Sequence, residues 1–113
     1  MANHKDLDQT FGALADPTRR QVLERLGRGP ASVSELAEPF DMALPSFMQH
    51  LHVLERSHLV RSEKVGRVRT FHLIPQELEK AGSWLEGQRS LWETRLDQFD
   101  SYLKRLAKEK NND

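Results

Sequence analysis

The chain has 113 residues, enough for one domain with a modest core. Seventeen Lys and Arg balance seventeen Asp and Glu, so any basic footprint for a polyanion must be local. The absence of Cys excludes disulfides, thiolate metal sites, Fe–S clusters and a cysteine nucleophile together, and no apolar run is long enough to span a membrane.

The opening Met1-Ala-Asn-His-Lys-Asp-Leu-Asp8 has no apolar signal segment, so a soluble cytoplasmic protein is expected. Leu7, Phe11 and Leu14 recur at helical spacing and define a first helix. Asp16-Pro17 breaks it and starts a second, with Asp as N-cap and Pro in the first turn. Val22, Leu23 and Leu26 form its stripe, and Gly27 with Gly29-Pro30 ends it. Ser32-Val-Ser-Glu35 reads as a capping box opening a short third helix that stops before Pro39. Phe40 is expected to pack under the turn that follows.

A fourth helix starts near Ala43 or Leu44. Leu44, Phe47, Leu51 and Leu54 repeat at intervals of 3, 4 and 3 and define its apolar face. Pro45, Ser46, Met48, Gln49 and His52 fall on the other side, and His50 lies beside the buried face. From Val60 to Val65 and Val68 to Leu73 the pattern turns to β-branched and alternating, with Gly66-Arg67 between, which predicts a β-hairpin.

After Pro75 a long helical pattern runs to about Leu106, 31 residues or about 46 Å. Leu85, Trp92, Phe99 and Leu106 recur every seven residues, and Leu96 and Leu103 fall between them. Gly82 and Gly87 weaken its early part and open the way to a kink or break. Lys108–Asp113 reads as a frayed tail.

The expected fold is therefore mainly α with a small β-hairpin, a winged helix-turn-helix with a long C-terminal dimerisation helix. Its divisions are residues 1–75 (the winged domain), 76–107 (the dimerisation helix) and the tail 108–113.

Charge is unevenly spread. Residues 59–75 carry Arg61, Lys64, Arg67 and Arg69 against Glu63, the only clearly basic block. A basic turn beside a helix-turn-helix suits a wing that meets phosphates and a minor groove; keeping a sheet edge soluble is the plainer reading. On the fourth helix, Gln49 can bond adenine through N6 and N7, Ser46 can serve several base edges, and Pro45 and Met48 can meet a thymine methyl. His52 is placed at a phosphate. That helix has no Lys or Arg before Arg56, which shifts the load to the wing, the helix N-terminus and a second copy of the chain.

Several stretches carry a family resemblance. Ala-Leu-Ala-Asp-Pro-Thr-Arg-Arg (13–20) with Val22-Leu23, Val33-Ser-Glu-Leu-Ala37, and Leu44-Pro-Ser-Phe-Met-Gln-His-Leu-His-Val-Leu54 come first. His58-Leu59-Val60-Arg61 and Gly66-Arg67-Val68-Arg69 complete the set. In this order they resemble ArsR/SmtB-type regulators over about residues 7–74, and the tail resembles a cysteine-free branch with a long final helix. The resemblance implies a homodimeric transcription regulator, usually a repressor, on double-stranded DNA with a palindromic operator. It also implies that Leu7, Phe11 and Leu14 join Leu85, Trp92, Leu96, Phe99, Leu103 and Leu106 at the dimer interface.

The sequence departs from the metal-sensing branches. Cys-x-Cys is missing from the third helix, which reads Glu35-Leu-Ala-Glu-Pro39, and no His follows His72. No metal site and no cofactor are expected, and no inducer is legible. A winged-helix protein–protein adaptor that no longer reads DNA is the alternative function. No phosphate loop, nucleophile triad or carboxylate pair supports an enzyme.

Overall fold

The computed structural model describes residues 4–111. Helix α1 (His4–Leu14) ends just before Asp16, whose extended backbone and carboxylate start α2 (Pro17–Leu26) by accepting the Arg19 N–H at 3.0 Å. Arg20 in turn donates to the Leu14 carbonyl at 2.8 Å, satisfying one of the carbonyls left open where α1 stops. Ser32 and Glu35 form the expected capping box at the head of α3 (Val33–Ala37), the hydroxyl accepting from Glu35 N and the carboxylate from Ser32 N. Helix α4 (Leu44–Arg56) follows, then the hairpin of β2 (Val60–Val65) and β3 (Val68–Leu73), and finally α5 (Gln76–Asn111).

The sheet has three strands. Ala31–Ser32, here β1, pairs antiparallel with β3 at Phe71 and Thr70, giving the order β1-β3-β2. Sequence reading missed this strand because its two residues lie inside the capping signal and are too few to show alternation. The β2–β3 register runs from Val60 opposite Leu73 to Val65 opposite Val68. Gly66 takes φ +63° at the first turn position, as a two-residue hairpin of this twist requires.

The core is built where these elements meet. Val22, Leu26, Leu36, Leu51, Leu54 and Phe71 are buried, as is Phe47, whose ring lies 5.5 Å from that of Phe40. Two expectations, for Leu44 and Met48, need correction. Leu44 is 56% exposed although it shares the face of Phe47 and Leu51, because it sits in the first turn, beyond the reach of the core. In α1 the buried residues are Thr10 and Ala13, while Leu7, Phe11 and Leu14 are half-buried. Met48 is half-buried against the core rather than exposed.

Helix α4 ends in a Schellman-type cap. The Leu59 N–H donates to Leu54 O and the His58 N–H to Glu55 O, both at 3.0 Å, with His58 at φ +59°. That left-handed position favours Gly, and a side chain there costs about 1–2 kcal/mol. His58→Gly should therefore raise unfolding stability by about 1 kcal/mol, visible as a higher urea midpoint at unchanged slope.

The chain divides into two units, Met1–Ala81 and Gly82–Asp113. The division falls inside α5 and not at its start, because Leu78 packs on the core and Ala81 is buried. In the second unit the helix shows no break at Gly82 or Gly87, and it extends through Lys108 to Asn111. Arg89 bonds Glu86 and Glu93 on neighbouring turns, and Lys104 meets Asp100 at 3.0 Å. Such pairs each add a few tenths of a kcal/mol to a helix, against about 1 kcal/mol lost at each glycine. No described helix is long and apolar enough to cross a membrane.

Candidate nucleic-acid interface

Pro45, Ser46, Gln49 and His52 are exposed on α4. Pro45, Gln49, His52 and Arg56 are spaced 4, 3 and 4 apart and so share one line along the helix. Gln49, His52, Val53 and Arg56 line a shallow groove there. In the sequence Arg56 reads only as a charge; its alignment with Gln49 and His52 puts a guanidinium at the far end of the same ridge. At the near end Ala43 gives no side-chain cap and Pro45 supplies no N–H. The first-turn N–H groups are thus available to an outside acceptor.

On the hairpin, Arg61, Lys64, Arg67 and Arg69 are exposed. Lys64 stands directly opposite Arg69 in the register. Two like charges facing each other across a strand pair destabilise it. Arg69 donates to the Ser62 hydroxyl at 2.9 Å, and the one carboxylate of the hairpin, Glu63, is 3.1 Å from the His72 ring. Among the described residues none of the four cations pairs with a carboxylate. The tip is flanked by Val65 and Val68, both more than half exposed, with Arg67 between them. The hairpin is thus a cationic strand pair without acidic partners among the described residues.

His50, beside the buried face of α4, is partly buried with Nδ1 3.2 Å from Arg19 Nη1 and 3.6 Å from Asp16 Oδ2. It belongs to the scaffold behind the exposed face. Among the described residues no three of His, Asp and Glu gather closely enough to hold a metal ion. On α5, Leu85, Trp92, Leu96, Phe99, Leu103 and Leu106 are each between 40 and 61% exposed, and Trp84, Leu91 and Tyr102 add further exposed apolar surface.

Residues 14–63 match a helix-turn-helix domain family. The chain is 40% identical over 78 residues to the HTH-type transcriptional regulator Rv2034 of Mycobacterium tuberculosis, spanning 69% of this chain and 73% of that one. It is 28% identical over 79 residues to the transcriptional repressor SdpR of Bacillus subtilis, spanning 70% of this chain and 88% of that one. Among solved structures, an ArsR family transcriptional regulator shares 55% identity with a TM-score of 0.78, over 81% of this chain and 95% of that one. An ArsR-like regulator from Rhodococcus sp. RHA1 shares 34% identity with a TM-score of 0.71, over 85% and 91%.

Proposed function

The chain belongs to the ArsR family of helix-turn-helix transcriptional regulators, and on that premise we propose that it is a homodimeric repressor of a palindromic operator. In this reading α4 enters the major groove. Pro45, Ser46 and Gln49 reach base edges, with Met48 contributing from its half-buried position, and His52 reaches a phosphate. The hairpin lies over the minor groove and the adjoining phosphates through Arg61, Lys64, Arg67 and Arg69. The observation that carries the reading is Lys64 facing Arg69 across a hairpin whose four cations have no carboxylate partner among the described residues. A phosphate backbone relieves that repulsion.

The dimer rests on the exposed stripe of α5 with Leu7, Phe11 and Leu14 of α1, and two-fold symmetry sets half-sites about 34 Å apart. The first place to seek the operator is the chain's own upstream DNA. The alternative, an adaptor that no longer reads DNA, is favoured by the lack of Lys or Arg in α4 before Arg56.

Fluorescence anisotropy against upstream and scrambled duplexes between 50 and 200 mM salt separates them. With about six to eight phosphates neutralised per dimer, log affinity should fall with log salt at a slope of about −5 to −7. Arg67→Ala should weaken binding at every sequence. It should also make the slope shallower by about 1 for each phosphate no longer neutralised, hence about 2 per dimer. A flat salt response, or equal weak binding to both duplexes with Arg67→Ala silent, would favour the adaptor.

A further inference from the structure

The Arg19 side chain holds two helices at once. Its Nε donates to Ala13 O at 2.8 Å and its Nη2 to Gly12 O at 3.1 Å, so it closes the last turn of α1. Its Nη1 lies 3.2 Å from Nδ1 of His50 on α4. A guanidinium only donates and stays protonated, so His50 Nδ1 is the acceptor and the ring proton sits on Nε2. The other charged group facing that nitrogen is Asp16, with Oδ2 at 3.6 Å, too far for a hydrogen bond. Burial works to raise the Asp16 pKa, but the backbone N–H groups of Arg19 and Thr18 and the Arg19 charge hold the carboxyl below the usual range. Asp16 therefore remains an anion beside the pair. His50 and Asp16 side chains are only 23% and 27% exposed, so water competes weakly with these contacts.

His50 is the neighbour of Gln49 and two residues from His52, but it faces the scaffold and not solvent. We propose that Arg19 and His50 are positioning residues for DNA reading: the guanidinium ties the end of α1 to the imidazole of α4 and so sets the roll of the helix that presents Gln49 and His52. The inference rests on the repressor reading and adds a route within it. Leu7, Phe11 and Leu14 lie on α1, so a displacement of that helix at the dimer surface reaches the base-reading helix through one side chain.

The test uses full-length protein and the duplex that the wild type enriches from a randomised 30-bp library. Arg19→Lys keeps the charge but cannot span both carbonyls and the ring, and His50→Ala removes the acceptor. Each should weaken binding about tenfold or more, as losing a hydrogen bond to a charged group does, with the salt slope unchanged because neither residue touches a phosphate. The double variant should be no weaker than the worse single one. His50→Asn, which keeps an acceptor near the Nδ1 position, should recover most of the affinity.

Wild-type affinity in Arg19→Lys and His50→Ala would overturn the proposal while leaving the repressor reading intact. A slope reduced in either variant would also overturn it, by making that residue a phosphate contact. A wild type that enriches no duplex would overturn both. The imidazole ¹⁵N spectrum of the unmutated protein decides the joint independently of any variant's folding: a bare Nδ1 at His50 is expected, and a proton on Nδ1 overturns it.

Discussion

Exchanging Trp92 and Phe99 together for Glu should convert the protein to a monomer and weaken its binding to a two-half-site duplex about 100- to 10,000-fold. The two side chains are seven residues apart on one face of α5 and are 60% and 59% exposed. Aromatic side chains bury about 150–250 Å² each when covered, so this pair is the largest apolar contribution to the stripe. A carboxylate at either place would have to shed its water to enter a helix–helix contact, at several kcal/mol. The loss is large because a dimer makes the second half-site contact intramolecular, and a monomer forfeits that effective concentration.

The exposed apolar residues of α5 also span more than a two-helix seam. At 100° per residue, Trp84, Leu91 and Tyr102 widen the stripe of Leu85, Trp92, Leu96, Phe99 and Leu103 to about 140°. A face that wide fits against more than one helix of a second copy. Sedimentation equilibrium on wild type and variant measures the association directly. Binding to a duplex with one half-site should be unchanged in the variant, which separates a lost dimer from a damaged reader. A wild type that is monomeric at micromolar concentration and still binds the paired half-sites tightly would sink this account.

The legible parts of the fold were those with a strong local cause. Asp16-Pro17, the Ser32–Glu35 box and the Gly66-Arg67 turn each fix backbone geometry through one or two side chains, and each appears where the sequence put it. Periodicity located α4 but could not say how far the core extends along it. Leu44 satisfies the apolar repeat and is left exposed, because burial at a helix end depends on what lies across from it. Met48 shows the same limit from the other side, packing on the core from a position the pattern assigned to solvent. β1 depends wholly on β3, some 40 residues away, for its identity as a strand.

The candidate site divides along the same line. The basic hairpin could be counted from charges alone, but the confrontation of Lys64 with Arg69 needed the register. Arg19 reads in sequence as one of a pair of adjacent arginines. Its bridge from Gly12 and Ala13 to His50, 31 residues away, is a tertiary fact with no local signal. His58 could have been suspected from its place just past the end of α4, where a left-handed residue commonly follows the helix.

The two faces of α4 make opposite predictions from residues two apart. Phe47 is 1% exposed and packs on Phe40 and the central core. Phe47→Ala removes a buried ring and leaves a cavity that neighbours only partly fill, so it should cost about 3–5 kcal/mol of folding stability. Much of the margin of a domain this size, usually about 5–15 kcal/mol, would be gone. Gln49→Ala, on the exposed ridge, should change stability by less than about 0.5 kcal/mol. Its effect should appear instead in selected duplexes, as about 1–3 kcal/mol less discrimination at a single base pair of each half-site. Urea denaturation and a base-by-base affinity profile, run on both variants, read the two effects separately. If Phe47→Ala proved near-neutral, the packing described for α4 would be wrong. If Gln49→Ala reduced affinity evenly across all sequences, the side chain would be holding the backbone and not reading a base.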